Sequence, residues 1–98
     1  MPRIIYTPHA IADLVRLAKF LTTKDKAVAK RAISAIRIAV EKATNLPDRY
    51  RPVPDLMHYR EISIDFGDTG YIAKFRYETG GDIFIVRIKH QLENDPLT

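Results

Sequence analysis

The chain has 98 residues, of which 46% are hydrophobic and 29% charged, the make-up of an ordinary folded domain; wholesale disorder, which needs low hydrophobicity with high net charge, is excluded. Scaling of surface with mass predicts that about 65% of the unfolded surface is buried on folding and that residues 1–98 form a single domain. Without cysteine there is no disulfide scaffold, thiolate metal site or cysteine nucleophile, and no apolar run is long enough for a membrane span or a signal peptide, so a cytoplasmic protein is expected.

Sixteen Lys and Arg against twelve Asp and Glu give a net +4, unevenly spread. Residues 1–50 hold ten basic and four acidic groups, a net of +6, whereas residues 51–98 hold six and eight, a net of −2. A basic half suits an acidic partner, either nucleic acid or an acidic protein segment; it is equally the composition of a solvated, lysine-rich helical face.

Arg3-Ile4-Ile5-Tyr6 reads as a short first strand. Thr7-Pro8 then opens a helix, since Thr is a good N-cap and Pro is tolerated at the first helical position. Ile11, Leu14, Val15, Ala18 and Leu21 follow at helical spacing and predict its buried face. The segment Thr22–Asp25 interrupts the pattern and caps a second helix reaching about Ala43, with Ala29, Ile33, Ile36, Val40 and Ala43 on one side. A connection this short forces the two helices antiparallel. Asn45–Leu56 contains Pro47, Pro52 and Pro54 and no periodicity, so it is expected to be an extended loop.

Beyond it the period changes to two. Arg60–Phe66 alternates as a strand with one wet face, Gly67–Gly70 is a hairpin turn, and Tyr71–Tyr77 is the next strand. Thr79–Asp82 makes a second turn, and Ile83 to about Lys89, apolar on both faces until Arg87, reads as the central strand. The element order β-α-α-β-β-β predicts an α+β domain in which a helical hairpin packs on a small antiparallel sheet.

Three sets of residues do not belong to a simple core. Phe20 lies roughly 155° from the centre of the first helix's predicted buried face and Ile38 about 180° from that of the second. Single exposed apolar residues are common, but two on one hairpin mark a candidate surface for a partner helix. The second set is cationic: Arg60 alternates with Ile62 and Ile64, Arg87 with Ile83 and Ile85, Arg76 stands on the middle strand, and His90 continues Phe84, Val86 and Ile88. These four side chains form either a patch gripping phosphate or carboxylate or a set of separate ion pairs, with Glu61 or Glu78 for instance. The third set is the histidines. His9, His58 and His90 lack metal-ligand spacing, so no metal or other cofactor is expected; His90 alone lies near the cations, as a proton carrier or as a packed side chain. No glycine-rich phosphate loop, Gly-x-Ser-x-Gly elbow or helix-turn-helix is present.

The strings Arg60-Glu61-Ile62-Ser63-Ile64, Gly70-Tyr71-Ile72-Ala73-Lys74-Phe75-Arg76-Tyr77 and Ile85-Val86-Arg87-Ile88-Lys89-His90-Gln91, with the opening Tyr6-Thr7-Pro8 and Asp13-Leu14, resemble the RelE/ParE toxin superfamily of type II toxin–antitoxin modules across almost the whole chain. The resemblance implies a toxin silenced by a cognate antitoxin with a DNA-binding dimer at one end and a disordered segment at the other, the complex repressing its own operon. It implies one of two targets. RelE-like members cut mRNA in the ribosomal A site; Arg60, Arg87 and His90 match that set, the arginines holding the scissile phosphate and His90 moving the proton. ParE-like members lack the set and poison DNA gyrase. Here no tyrosine follows Tyr77, and the loop before Arg60 carries Arg49 and Arg51 but no lysine. The Arg-Glu-Ile and Arg-x-x-His-Gln strings are closer to ParE, so gyrase inhibition is the expectation and an inert interaction module the remaining alternative. The target-binding patch is expected at Arg60, Arg76, Arg87 and His90, and antitoxin contact at Phe20 and Ile38.

Overall fold

The computed structural model describes residues 3–43 and 45–93. Strand β1 (Ile4–Tyr6) leads into helices α1 (Pro8–Thr22) and α2 (Lys26–Ala43); a short 3-10 turn (Pro47–Arg49) and β2 (Arg51–Pro52) follow, then β3 (Tyr59–Phe66), β4 (Thr69–Tyr77) and β5 (Ile83–His90). The segment expected to be an irregular loop therefore holds a helical turn and a strand. The sheet is ordered β1-β5-β4-β3-β2. β3, β4 and β5 form the predicted antiparallel meander, but β1 joins it in parallel beside β5, so the sheet is mixed, β5 is flanked on both sides, and β4 rather than β5 is the central strand. Parallel pairing follows from the connectivity: β1 is followed by the helical pair, a crossover long enough to return the chain in the same direction.

Both helices cover one face of this sheet. Ala32, Ile36, Val40 and Ala43 of α2 pack with Ile62, Ile64, Tyr71, Ala73, Phe75, Ile83, Ile85 and Ile88 in one continuous core. Alternation in β3 and β4 puts exactly-spaced inward positions on the helix side, as period-two patterning requires. Asp25 starts α2, its carboxylate accepting the N–H groups of Ala27 (2.8 Å) and Val28 (3.3 Å).

The face of α1 differs from expectation. Its buried residues are Ala10, Asp13 and Leu17, whereas Ile11 and Val15 are 51% and 49% exposed. The cause lies in β5. Lys74 is opposite Arg87 and Phe75 is opposite Ile85, so Val86 is an extra residue, a β-bulge. Past the bulge the Ile88 N–H points away from β4 and lies beyond the last residue of β5 that pairs with β1, so α1 supplies its acceptor. Asp13, only 4% exposed, accepts the Ile88 N–H at 2.8 Å and both Nε (3.0 Å) and Nη2 (3.2 Å) of Arg87. Thr7 caps α1 by accepting the Ala10 N–H (3.3 Å) while its hydroxyl donates to Ile85 O at 2.7 Å. A buried carboxylate therefore sets the rotation of α1, which turns Ile11 and Val15 outward.

The bulge also reverses the alternation of β5. Ile83 and Ile85 face the core before it, and Ile88 and His90, opposite Ala73 and Tyr71, face the core after it. Arg87 thus does not share the Ile83/Ile85 face, and His90 does not share that of Phe84 and Val86.

Asp13→Ala should destabilise the fold by about 2–4 kcal/mol, because it orphans a buried N–H and a half-buried guanidinium together; Asp13→Asn, which keeps an acceptor, should cost clearly less, as urea unfolding at neutral pH would measure. A second contrast comes from the β3–β4 turn. A Cβ on Gly70 would stand 2.0 Å from Ile64 O, whereas one on Gly67 (φ +61°) meets nothing within 4 Å. Gly67→Ala should lower stability by about 1 kcal/mol, and Gly70→Ala should prevent the hairpin from forming in this register, seen as loss of the native NMR spectrum.

Candidate functional site

The four predicted patch residues are each tied to a different neighbour. Arg60 Nη1 donates to Tyr50 O at 2.8 Å and Asp48 O at 3.4 Å, with Nη2 3.8 Å from the Asp48 carboxylate; it holds the 3-10 turn against β3. Arg76 pairs with Glu78 at 3.1 Å, and Glu78 also stands 3.7 Å from His58 Nε2. Arg87 is committed to Asp13 of α1. His90 packs edge-on against Tyr71 at 5.5 Å between ring centroids. Its Nδ1 accepts the Leu92 N–H (3.2 Å), which leaves the proton on Nε2 to donate to the Thr69 hydroxyl at 2.9 Å.

The expected convergence of these groups on one rim is therefore not what the fold produces. β4 separates Arg60 from Arg87; one guanidinium turns to the 3-10 turn and the other to α1. Local carboxylates, Asp48, Asp13 and Glu78, compensate the arginines, with Glu78 serving Arg76 as the ion-pair alternative anticipated. Asp13, the residue that most constrains this arrangement, enters the sequence reading only through the Asp13-Leu14 string, with no structural role assigned. Its signal is position: three residues after Ala10 and four before Leu17, it sits on the face it buries.

Tyr71 is the aromatic hydroxyl nearest His90. Burial, together with the negative charge of Glu93, holds its phenol above the ordinary tyrosine range. It remains neutral near pH 7 and cannot serve there as a phenolate base.

Among the grooves of the described surface, one of about 440 Å³ lies along Pro52–Arg60 beside the Arg60 side chain, and two others flank α1, one on each side. The first of this pair lies between the helices and has a volume of about 560 Å³; Ala18, Ala29 and Ile33 line it with Lys26 and Lys30 at its edge. Ile11 and Val15 extend the same α1 stripe toward the helix start, at i, i+4 and i+7 from Ile11 to Ala18. The second, about 800 Å³, is lined by Phe20, Leu21, Phe66, Tyr71 and His90, with Arg16, Asp68 and Glu93 as charged members. Arg16 there bridges Asp13 and Glu93. Phe20 (62% exposed) belongs to this second groove, with Lys24 Nζ 5.3 Å from its ring centroid. Ile38 (55% exposed) lies toward the other end of the hairpin on α2. Both are exposed, but they do not share a face. Ile11 and Val15 are the exposed apolar pair that sequence periodicity assigned to the core.

Among the described residues no helix is long and apolar enough to cross a membrane. Residues 4–95 match the family described as the ParE toxin of the type II toxin–antitoxin system parDE. Two proteins of Caulobacter vibrioides are close in length and sequence. Toxin RelE1 is 32% identical over 90 residues, covering 92% of this chain and 94% of the relative. Toxin RelE3 is 33% identical over 86 residues, covering 88% and 90%. A solved structure, the chromosomal ParDE toxin–antitoxin system from P. aeruginosa, shares the fold with a TM-score of 0.76 at 22% identity, over 92% of this chain and 96% of that one. With the helical hairpin on a mixed five-stranded sheet and a family match spanning nearly every residue, the chain belongs to the ParE toxin family of type II toxin–antitoxin systems, within the RelE/ParE superfamily.

Proposed function

We propose that this toxin acts in the ParE manner, by binding DNA gyrase and stalling it on cleaved DNA, rather than by cutting RNA. The observation that carries the reading is the state of the matched ribonuclease-type residues. Metal-free RNA cleavage needs a proton carrier within reach of the 2′-hydroxyl and free cations around the phosphate. Arg87 is half-buried against Asp13, Arg60 caps backbone carbonyls, and both ring nitrogens of His90 are engaged in the β5 end structure. These side chains build the fold. Exposed cations are most numerous on the helical hairpin, among them Lys19, Lys24, Lys26, Lys30 and Arg31, with Arg49 and Arg51 exposed beside β3, where they suit an acidic protein or DNA surface.

The proposed silencing partner is a cognate antitoxin whose disordered segment folds as an amphipathic helix in the interhelical groove, apolar side chains on Ile11, Val15 and Ile33, acidic ones toward Lys26 and Lys30. Phe20 and Ile38 remain candidate contacts for the flanking parts of that segment. The RelE names of the Caulobacter relatives make ribosome-dependent mRNA cleavage the competing reading.

Purified toxin added to a gyrase supercoiling reaction should abolish supercoiling and accumulate cleaved DNA. His90→Gln should retain that activity within about threefold, whereas a proton-transferring histidine would lose 10²–10⁴-fold, as an order of magnitude, in a translation-coupled cleavage assay. Unchanged supercoiling beside mRNA cuts at codon boundaries would reverse the assignment. For the partner, Val15→Glu should weaken antitoxin binding at least about tenfold, measured by calorimetry, while growth arrest on induction persists.

A further inference from the structure

The groove between the C-terminal half of α1 and the ends of β3, β4 and β5 is walled by rings. Phe66 and Tyr71 stand 6.2 Å apart between centroids at an interplanar angle of 47°, Tyr71 and His90 stand 5.5 Å apart at 83°, and Phe20 lines the helix side. Its volume of about 800 Å³ is that of a recess able to enclose a small organic molecule.

Two polar groups of this recess are not used by the fold. Tyr71 is only 4% exposed, yet its hydroxyl has no hydrogen-bond partner among the described residues. No fully enclosed side-chain oxygen or nitrogen there lacks a partner, so this hydroxyl reaches the open space that its own ring lines. A buried tyrosine ordinarily finds a protein partner for its O–H; one that opens unpaired onto a cavity is a vacant hydrogen-bonding position. The second group is Asp68, which lines the recess from the β3–β4 turn and has neither an ion-pair nor a hydrogen-bond partner among the described residues. The remaining charges are satisfied. Arg16 bridges Asp13 and Glu93, and Glu93 also accepts the His90 backbone N–H at 2.8 Å. The lining thus holds one cation against two carboxylates, a net of −1, and Lys24, over the Phe20 ring, lies outside it.

We propose that this recess binds a small organic cation with a flat aromatic body: the rings of Phe20, Phe66 and Tyr71 hold the body, the Tyr71 hydroxyl accepts a ring N–H, and Asp68 pairs with the ammonium group. Stacking and edge contacts select an aromatic ligand, and the ring faces attract positive charge in the same direction as the free carboxylate. A purely apolar ligand would cover the Tyr71 hydroxyl and leave it unpaired out of water, at a cost in affinity. An anion would face the carboxylate of Asp68 with no free cation in the lining to offset it. The recess lies across α1 from the interhelical groove, and the inference stands whichever target the toxin has.

The test titrates three probes into the whole toxin and follows amide chemical shifts by NMR: tryptamine, its anionic counterpart indole-3-acetate, and butylamine, a cation without a ring. Tryptamine should shift the Thr69, Tyr71 and His90 resonances and bind at least about fivefold more tightly than either control. Tyr71→Phe removes a hydroxyl that the fold does not use; it should leave the urea unfolding midpoint unchanged and weaken tryptamine by about two- to tenfold. Asp68→Asn, at an exposed turn, should weaken tryptamine by about three- to tenfold and erase its advantage over indole-3-acetate, which keeps the proposal testable if the Tyr71 variant does not fold. Equal binding of tryptamine and indole-3-acetate, or shifts confined to another surface, would overturn it. A destabilised Tyr71→Phe variant with unchanged tryptamine affinity would do the same, because the hydroxyl would then belong to the core. Loss of tryptamine binding in the toxin–antitoxin complex would also overturn it, assigning the recess to an antitoxin side chain.

Discussion

The carboxylate of Asp13 is the hinge on which this small domain is arranged. Past the bulge in β5 the Ile88 N–H points beyond the end of β1, where no strand pairs it, and a buried N–H left unpaired costs about 1–3 kcal/mol. Here α1 provides the acceptor: Asp13 takes the Ile88 N–H and the Arg87 guanidinium together, and Thr7, at the start of the helix, donates both its N–H and its hydroxyl to Ile85 O. Helix and strand are thereby locked in azimuth and in register. A purely apolar contact would allow α1 to rotate until its largest side chains were buried. The carboxylate prevents that, because its hydrogen bonds are directional and the alternative leaves a charge unpaired out of water.

Two consequences reach the surface. Ile11 and Val15 are displaced from the core and become the exposed stripe beside the interhelical groove. Arg87 is drawn inward to Asp13 and ceases to be available to an external phosphate. One interaction thus both creates an apolar face suited to a partner helix and dismantles the cationic cluster that the strand pattern suggested.

The elements themselves were legible. Thr7-Pro8, the interruption at Thr22–Asp25, and the change from helical to period-two spacing at Arg60 place α1, α2 and the meander close to where they occur. The stripe of α2 was legible too, with Ala29, Ile36, Val40 and Ala43 all buried, because nothing polar competes for that face. The failures share a cause. The Asn45–Leu56 segment lacks periodicity because β2 contributes only Arg51 and Pro52, too short for a pattern. The parallel partner of β1 is a property of strand order, which no local window contains.

Local propensity and hydrophobic spacing were thus enough to place α1, α2, β1, β3, β4 and β5, to predict that they form two layers, and, through matched strings, to point to the family. Tertiary structure alone decided which way α1 faces, where the alternation of β5 reverses, and which arginines are spoken for. The physical reason is that an inserted residue at Val86 has no signature in composition or spacing. Its effect appears only when the unpaired amide of Ile88 meets a carboxylate seventy-five positions away in the chain.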